Sequence, residues 1–405
     1  MPLPRPLACM LILALWLGLA SATWAAPLAM TYRRALDEAL RHAPQLLAAR
    51  TRLAVADADV AIAGVVPNPS ITAGTSTQAA RLSTGVSLPL HVFGQRSSSI
   101  AAGRADALAV QADVTVTRFD VQAAAAHAYV ALWLAERTAE AREQAAAIAG
   151  QVDAAVAERI AIGSVPRFEG LRARSERLRA QAEAEEARLL VVAAAVELGR
   201  WVGVRDAEGL RTAGEPDVPP LPKPLAALVS GTARAPAVQR EEATARAAEA
   251  HAHRERALVR PTLVLEVGAD IGDPTLPGTN FRALLGVEVP LLNHRVPYVQ
   301  RELAVATAAH TRAELEQIQA TADLSIAYRK FEAHSARFAN YRDVVQPAAT
   351  EAARAIREAY ALGRAPLAAV LEAERAQIEA SLAVLQAQAT RADDWIDVER
   401  AVGAP

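Results

Sequence analysis

The chain has 405 residues, a formal charge of −2, 4% aromatic residues and 22% charged residues. That near-neutral balance rules out a strong electrostatic case for nucleic-acid binding. Alanine dominates the apolar fraction, a composition that builds long, closely packed helices rather than a bulky globular core.

In chain order, residues 1–25 read as a secretory signal. Arg5 is the lone charge before an apolar run from Leu7 to Ala20, and Thr23-Trp24-Ala25 places small residues around a cleavage point after Ala25. The run is short for the ~20 residues of a membrane span. Cleavage there removes Cys9, the only cysteine, so the mature chain is expected to carry no disulfide, thiol or lipidated cysteine. No later stretch reaches ~18 apolar residues, so no α-helix is expected to cross a membrane.

Residues 26–203 form a first repeat. Tyr32 to His42 reads as a short helix with Thr31 as N-cap, and Pro44 opens a second that runs to about Ala63. Gly64 and Pro67-Asn68-Pro69 end it. Residues 70–90 then hold two Thr-, Ser-, Val- and Ile-rich runs that read as a β-hairpin. Residues 96–161 contain no proline and read as one helix of roughly 100 Å at 1.5 Å per residue. A turn at Ile162-Gly163-Ser164-Val165-Pro166 reverses the chain. The returning helix closes at Gly203. Its seam, with apolar positions at alternating steps of three and four, is Phe168, Leu171, Ser175, Leu178, Ala182, Glu185, Leu189, Val192 and Val196.

Residues 204–223 are proline-rich and read as a linker. Residues 224–405 repeat the first order. Ala235-Pro236 answers Ala43-Pro44, Pro261 answers Pro67, Pro290 answers Pro89, and Leu362-Gly363-Arg364-Ala365-Pro366 repeats the turn 200 residues on. The second hairpin covers residues 262–289 and the second long helix 297–361, with a kink expected at Pro347. The second seam is Ala368, Leu371, Arg375, Ile378, Leu382, Leu385, Ala389, Ala392 and Ile396, ending at Gly403. In each repeat the two shorter helices together nearly match the long one, so they are expected to stack end to end beside it. Four strands cannot bury a sheet alone, but they can form part of a barrel closed by several chains.

This duplicated helix–hairpin–helix plan resembles the outer-membrane efflux channels of the TolC family, over essentially the whole mature chain. The signals are the Ala-Pro helix starts, Pro67-Asn68-Pro69, the two glycine turns and the terminal Gly203 and Gly403. The stretch Leu88-Pro89-Leu90-His91-Val92-Phe93-Gly94-Gln95-Arg96, followed by Ile100-Ala101-Ala102, looks like the CzcC-like heavy-metal branch. The resemblance implies a mainly α fold with a small β part. It implies a homotrimer with a 12-stranded β-barrel among outer-membrane lipid, continued by a 12-helix periplasmic α-barrel. It also implies partners, a periplasmic adaptor (membrane fusion) protein and an inner-membrane pump of the resistance-nodulation-division (RND) type, and no catalysis or cofactor.

The resemblance places the adaptor contact at the periplasmic tips, on Arg159, Gly163, Ser164, Gly363 and Arg364. The glycines also read as helix C-caps. An acidic gate in the family matches Glu372, while Ala369 stands where a second acid is expected; a plain solvated Glu372 remains the alternative. Glu266, Asp270 and Glu288 lie on the strand face opposite the leucines and are candidate pore-lining residues. No phosphate loop, nucleophilic cysteine or His-Glu-x-x-His signature occurs. His251 and His253, two apart on a helix, face different ways and read as a solvated pair rather than metal ligands. The leading expectation is an export duct for heavy-metal cations. Drug efflux and type I protein secretion remain alternatives, as does a non-channel periplasmic coiled-coil scaffold or adaptor.

Overall fold

A computed structural model describes residues 29–77, 80–219 and 223–403. The signal-peptide reading of residues 1–25 and Cys9 lies outside the described residues. In chain order the elements are β1 (Ala29–Met30), α1 (Tyr32–His42), α2 (Pro44–Ala63), β2 (Ser70–Gly74), β3 (Leu82–Leu90), α3 (Gln95–Ala161) and α4 (Arg167–Val202). They continue with β4 (Arg211–Thr212), α5 (Leu225–Val229), a 3₁₀ turn (Thr232–Arg234), α6 (Pro236–Ala257), β5 (Thr262–Ile271) and β6 (Thr279–Glu288). Helix α7 (Val296–Asn340), a π turn (Tyr341–Val345), α8 (Gln346–Ala361) and α9 (Leu367–Val402) complete the chain.

Local chemistry sets the boundaries. The Thr31 hydroxyl accepts the backbone N–H of Arg34 at the start of α1. Proline opens α2 and α6, where its missing N–H costs nothing. Pro347 sits deeper in a helical run and has no amide to donate. The chain absorbs this with the π turn directly before it, where Gln346 donates to the carbonyl of Tyr341.

The helices pack as one layer of four columns. The first column is α2 above α4, the second α3, the third α6 above α9, and the fourth the run α7–α8. The short helices stack end to end, as expected. Gly203 at the end of α4 meets His42 just before α2, and Gly403 at the end of α9 meets Ala235 and Pro236 at the start of α6. Both glycines have positive φ (76° and 67°). A Cβ would lie 2.6 Å from the His42 Cβ at one site and 2.6 Å from the Pro236 Cδ at the other. Only glycine fits either the backbone or the approach.

The two seams have different fates. In α9 the seam residues Leu371, Ala389, Ala392 and Ile396 are buried, because α9 has neighbours on both sides, α3 and α7–α8. In α4 the seam does not face its partner. Phe168, Leu171, Leu178, Leu189, Val192 and Val196 are exposed, and α4 packs on α3 through Ala173, Ala184, Ala187, Val191, Ala195 and Leu198 instead. Small side chains let the two long helices approach, so the large aliphatic seam is left on the free flank. The opposite flank, on α7, exposes Leu303, Val305, Leu315, Ile318 and Ile326.

The segment read as a linker is a belt around the middle of the layer. Strand β4 pairs in parallel with β1, a pairing absent from the sequence reading. Buried Glu136 of α3 accepts the backbone N–H of Thr212 at 3.2 Å and also its hydroxyl. Tyr129 donates to the Gly214 carbonyl at 3.0 Å and packs edge-on against Tyr32. Arg391 donates to the Pro219 carbonyl. Residues 220–222 are outside the described residues.

The hairpins join into one antiparallel sheet, ordered β2-β3-β5-β6, at one end of the helical layer. Its register sorts the faces. Leu263, Leu265 and Val267 stand opposite Leu90, Leu88 and Val86 on one side and Val287, Leu285 and Ala283 on the other. That face is apolar and exposed, with Phe281 85% accessible. The other face carries Ser87, Gly85 and Ser83 beside Glu266, Gly268 and Asp270, then Leu284, Arg282 and Asn280. Strands β2 and β6 are unpaired edges.

Candidate docking tips and pore-facing surface

At the end of the layer farthest from the sheet, the two repeat turns have one geometry. Gly163 donates to the Ile160 carbonyl (3.0 Å) and Ser164 to the Arg159 carbonyl (2.9 Å). Gly363 donates to Tyr360 (3.0 Å) and Arg364 to Ala359 (2.8 Å). These are paired Schellman caps, with φ of +75° at Gly163 and +70° at Gly363. A Cβ at either glycine would meet nothing within 4 Å. The glycines are therefore required by backbone conformation, and the space in front of them is open.

Val156, Ala173, Leu367 and Leu371 form a small core that ties the turns together. Arg159 reinforces it. Its guanidinium reaches the Tyr360 and Ala361 carbonyls at 3.4 and 3.5 Å and stacks 4.4 Å over the Tyr360 ring. Arg159 thus holds the second turn, and Ser164 caps the first by donating its hydroxyl to the Arg159 carbonyl at 3.0 Å. Arg364 is exposed and has no ion pair among the described residues. Ile162 and Leu362 project beside it, largely exposed.

Above the tips, Glu372 is exposed, with no ion pair among the described residues. Two neighbours are more engaged. Arg375, one of the polar intrusions in the α9 seam, pairs with Glu176 of α4 and joins the two repeats. The Arg375 hydrogen bond holds the Glu176 carboxyl below its ordinary pKa. Glu374 is buried 2.9 Å from Arg357, and burial raises its pKa against the pull of that arginine. The sequence marks Arg375 by breaking the seam, but it carries no sign of Glu176 as its partner.

The polar sheet face brings Glu266 and Asp270 together. Both pair at 3.2 Å with Arg282, which lies across Gly85 and Gly268. Glu288 shares that face at its helix-proximal end, exposed and without an ion pair among the described residues.

Histidine chemistry sits elsewhere than expected. His251 is half-buried and contacts Asp106 of α3 at 2.8 Å, so the solvated reading holds for the exposed His253 alone. His127 of α3, unremarked in the sequence, lies between Asp393 (2.8 Å) and Asp397 (3.4 Å), one turn apart on α9. Burial alone would lower its pKa, but the hydrogen bonds and charges of the two aspartates outweigh this and raise it to about 9. His334 of α7 contacts Asp394 at 2.5 Å, so α9 is gripped from both sides at one level. Among the described residues, no group of three or more His, Cys, Asp or Glu side chains is arranged to hold a metal ion. No described helix is long and apolar enough to cross a membrane.

Residues 35–204 match the family model described as outer membrane efflux protein. The chain is 24% identical over 363 residues to the cobalt-zinc-cadmium resistance protein CzcC of Cupriavidus metallidurans, covering 88% of this chain and 86% of that one. Its fold is similar to that of a membrane protein from Pseudomonas aeruginosa, with a TM-score of 0.77 at 20% identity over 92% of this chain and 93% of that one. The Campylobacter jejuni CmeC outer membrane channel gives 0.76 at 15% identity over 92% and 85%.

Proposed function

We propose that this chain, a member of the outer membrane efflux protein (TolC) family with a large periplasmic helical part, is the passive exit duct of a tripartite efflux assembly. The observation that carries this reading is the matched incompleteness of its two ends. The sheet has two free edges, and the helical layer has two free flanks lined by aliphatic residues. A sheet of four strands with an exposed apolar face closes by joining copies of itself, which removes its edges. Three copies would form a barrel whose Phe281–Leu285–Val287 face meets lipid and whose Glu266–Arg282–Asp270 face lines the pore, with Glu288 at the pore's periplasmic end.

The α4 seam of one copy would then pack on the α7 flank of the next and continue the pore as a helical tunnel. At its far end, Gly163, Ser164, Gly363 and Arg364 would meet a periplasmic adaptor, with Arg159 holding the turn in shape. The adaptor would link the duct to an inner-membrane RND pump. Glu372, together with the Arg375–Glu176 pair, would gate the tunnel just above the tips. The similarity to CzcC supports heavy-metal cations as the cargo.

Growth of a deletion strain on zinc, cobalt, cadmium, copper and a drug panel tests the cargo. Sensitivity confined to metals supports the reading. Sensitivity confined to drugs assigns the duct to drug efflux instead.

A further inference from the structure

The four columns leave one break that pore formation does not use. In the third column α9 ends at Val402 and α6 begins at Pro236, while α3 and α7 run unbroken past the joint on either side. The matching joint in the first column, between α4 and α2, lies on a free flank. The inner joint is therefore walled by helices, and a cleft of about 520 Å³ opens there. Alanine keeps it open. Ala235, Ala237, Ala320, Ala327 and Ala401 line it where larger side chains would fill it. Its volume is that of a pocket for a small organic molecule.

The cleft opens on the face away from the belt. Arg391 bonds the Pro219 carbonyl, and Trp395 and Val398 pack with Leu225 and Leu228 of α5. Asp397 and Arg400 line the cleft, and at about 3.6 residues per turn they lie on the opposite side of α9 from those three. A belt inside a tunnel would obstruct it. In a duct the belt therefore lies outside, and the cleft faces the passage.

Most charges on the rim are already met. Arg400 pairs with Asp120 at 2.8 Å, Arg240 with Glu316 at 3.7 Å, and Asp397 with His127 at 3.4 Å. Asp323 and Lys330 differ. Asp323 accepts the Gln319 side-chain amide at 2.8 Å, but neither it nor Lys330 has an ion pair among the described residues. The two stand about two turns apart on α7, roughly 10 Å along its axis. Buried Ala327 lies between them, and half-buried Val116 and Phe119 of α3 line the facing wall. A free carboxylate and a free ammonium are thus held apart by an apolar strip.

We propose that this waist cleft binds a zwitterionic organic solute. Its ammonium meets Asp323, its carboxylate meets Lys330, and its apolar middle lies against Ala327 and Phe119. Charge-assisted bonds at both ends fix its direction. The cleft is complete within one chain; only its facing the passage rests on the chain being a duct.

A tripeptide with free termini, Ala-Phe-Ala, has this form, since three extended residues span about 10 Å. It is titrated calorimetrically into the native assembly purified in mild detergent, with micelles alone as the blank. Acetylating the amine or amidating the carboxylate is expected to weaken binding about tenfold or more. Lys330→Gln should weaken the free peptide by the same factor and leave the amidated one unchanged. Asp323→Asn should do so for the acetylated one. Ala320→Trp, which fills the cleft, should abolish binding. Gels for heat-resistant oligomer show whether each variant assembles, and the two surface variants decide if Ala320→Trp does not. No heat above the blank, caps without effect, or full binding by Ala320→Trp would each overturn the site, and with assembly intact would leave the duct standing. A wild-type monomer that binds the peptide would support the site and refute the duct.

Discussion

Replacing Gly163 and Gly363 together by valine separates the docking role proposed for the tips from their structural role. Both residues hold positive φ, which costs an L-residue about 1–2 kcal/mol at each site. Nothing lies within 4 Å of either added Cβ, so the first side-chain atom meets no neighbour. Gly203→Ala with Gly403→Ala is the internal control. Its alanines carry a conformational cost no larger than that of the β-branched valines, but they add clashes at 2.6 Å, an overpacking cost of about 1–3 kcal/mol per site. The smaller replacement at the waist is therefore predicted to do more structural damage than the larger one at the tips. Heat-resistant oligomer on gels, adaptor cross-linking and resistance are measured in each strain. The tip mutant should keep its oligomer level and membrane insertion while losing adaptor cross-links and export; the waist mutant should lose oligomer. A tip mutant that cross-links and exports normally would show that the glycines are helix caps and nothing more. Equal oligomer loss in both mutants would refute the steric reasoning.

Arg364→Glu reverses an exposed charge at the tip that has no ion pair among the described residues, and should reduce export with no change in oligomer level, read from resistance and gels. Leu265→Arg, at the middle of the apolar sheet face, should cost about 2–4 kcal/mol in folding into lipid, measured by denaturant titration in vesicles. Glu136→Ala leaves the Thr212 N–H without its acceptor; a loss of about 1–3 kcal/mol should show as faster protease cleavage between residues 204 and 219. His127 has a folded pKa raised to about 9, so its stabilisation is fully present below the ordinary 6.5 and is lost as pH rises through 9. With one-third of the ring exposed and screened, the loss should be about 1 kcal/mol. Thermal unfolding between pH 6 and 10 should show it, and His127→Gln should flatten that dependence.

The legible parts of the fold were those punctuated locally. Gly163, Pro166, Gly363 and Pro366 mark turns by themselves, the long proline-free runs mark helices, and alternation from Leu263 to Val267 marks a strand. The duplication then turned two weak readings into one strong one. The β1–β4 pairing was not legible, because two-residue strands far apart in sequence leave no periodic trace. The α4 seam was legible as a seam, but not as a free flank, because periodicity does not say which neighbour a face meets. At the site, the open space before Gly163 and Gly363 follows from their turns. The roles of Arg159 and His127 do not, since each partner lies on a distant helix. Gln95 carries no mark in the sequence, because its burial depends on the distant Arg260 and Pro261 carbonyls just before β5.

The mass of the mature chain extracted from outer membranes in mild detergent, measured by light scattering with the detergent subtracted, tests the central claim most directly. A duct closed by the two free edges of the sheet and the two aliphatic flanks predicts a stable assembly of three chains and no monomer at equilibrium. A monodisperse, folded monomer would contradict it, because the exposed α4 seam and the unpaired β2 and β6 edges would then need no partner.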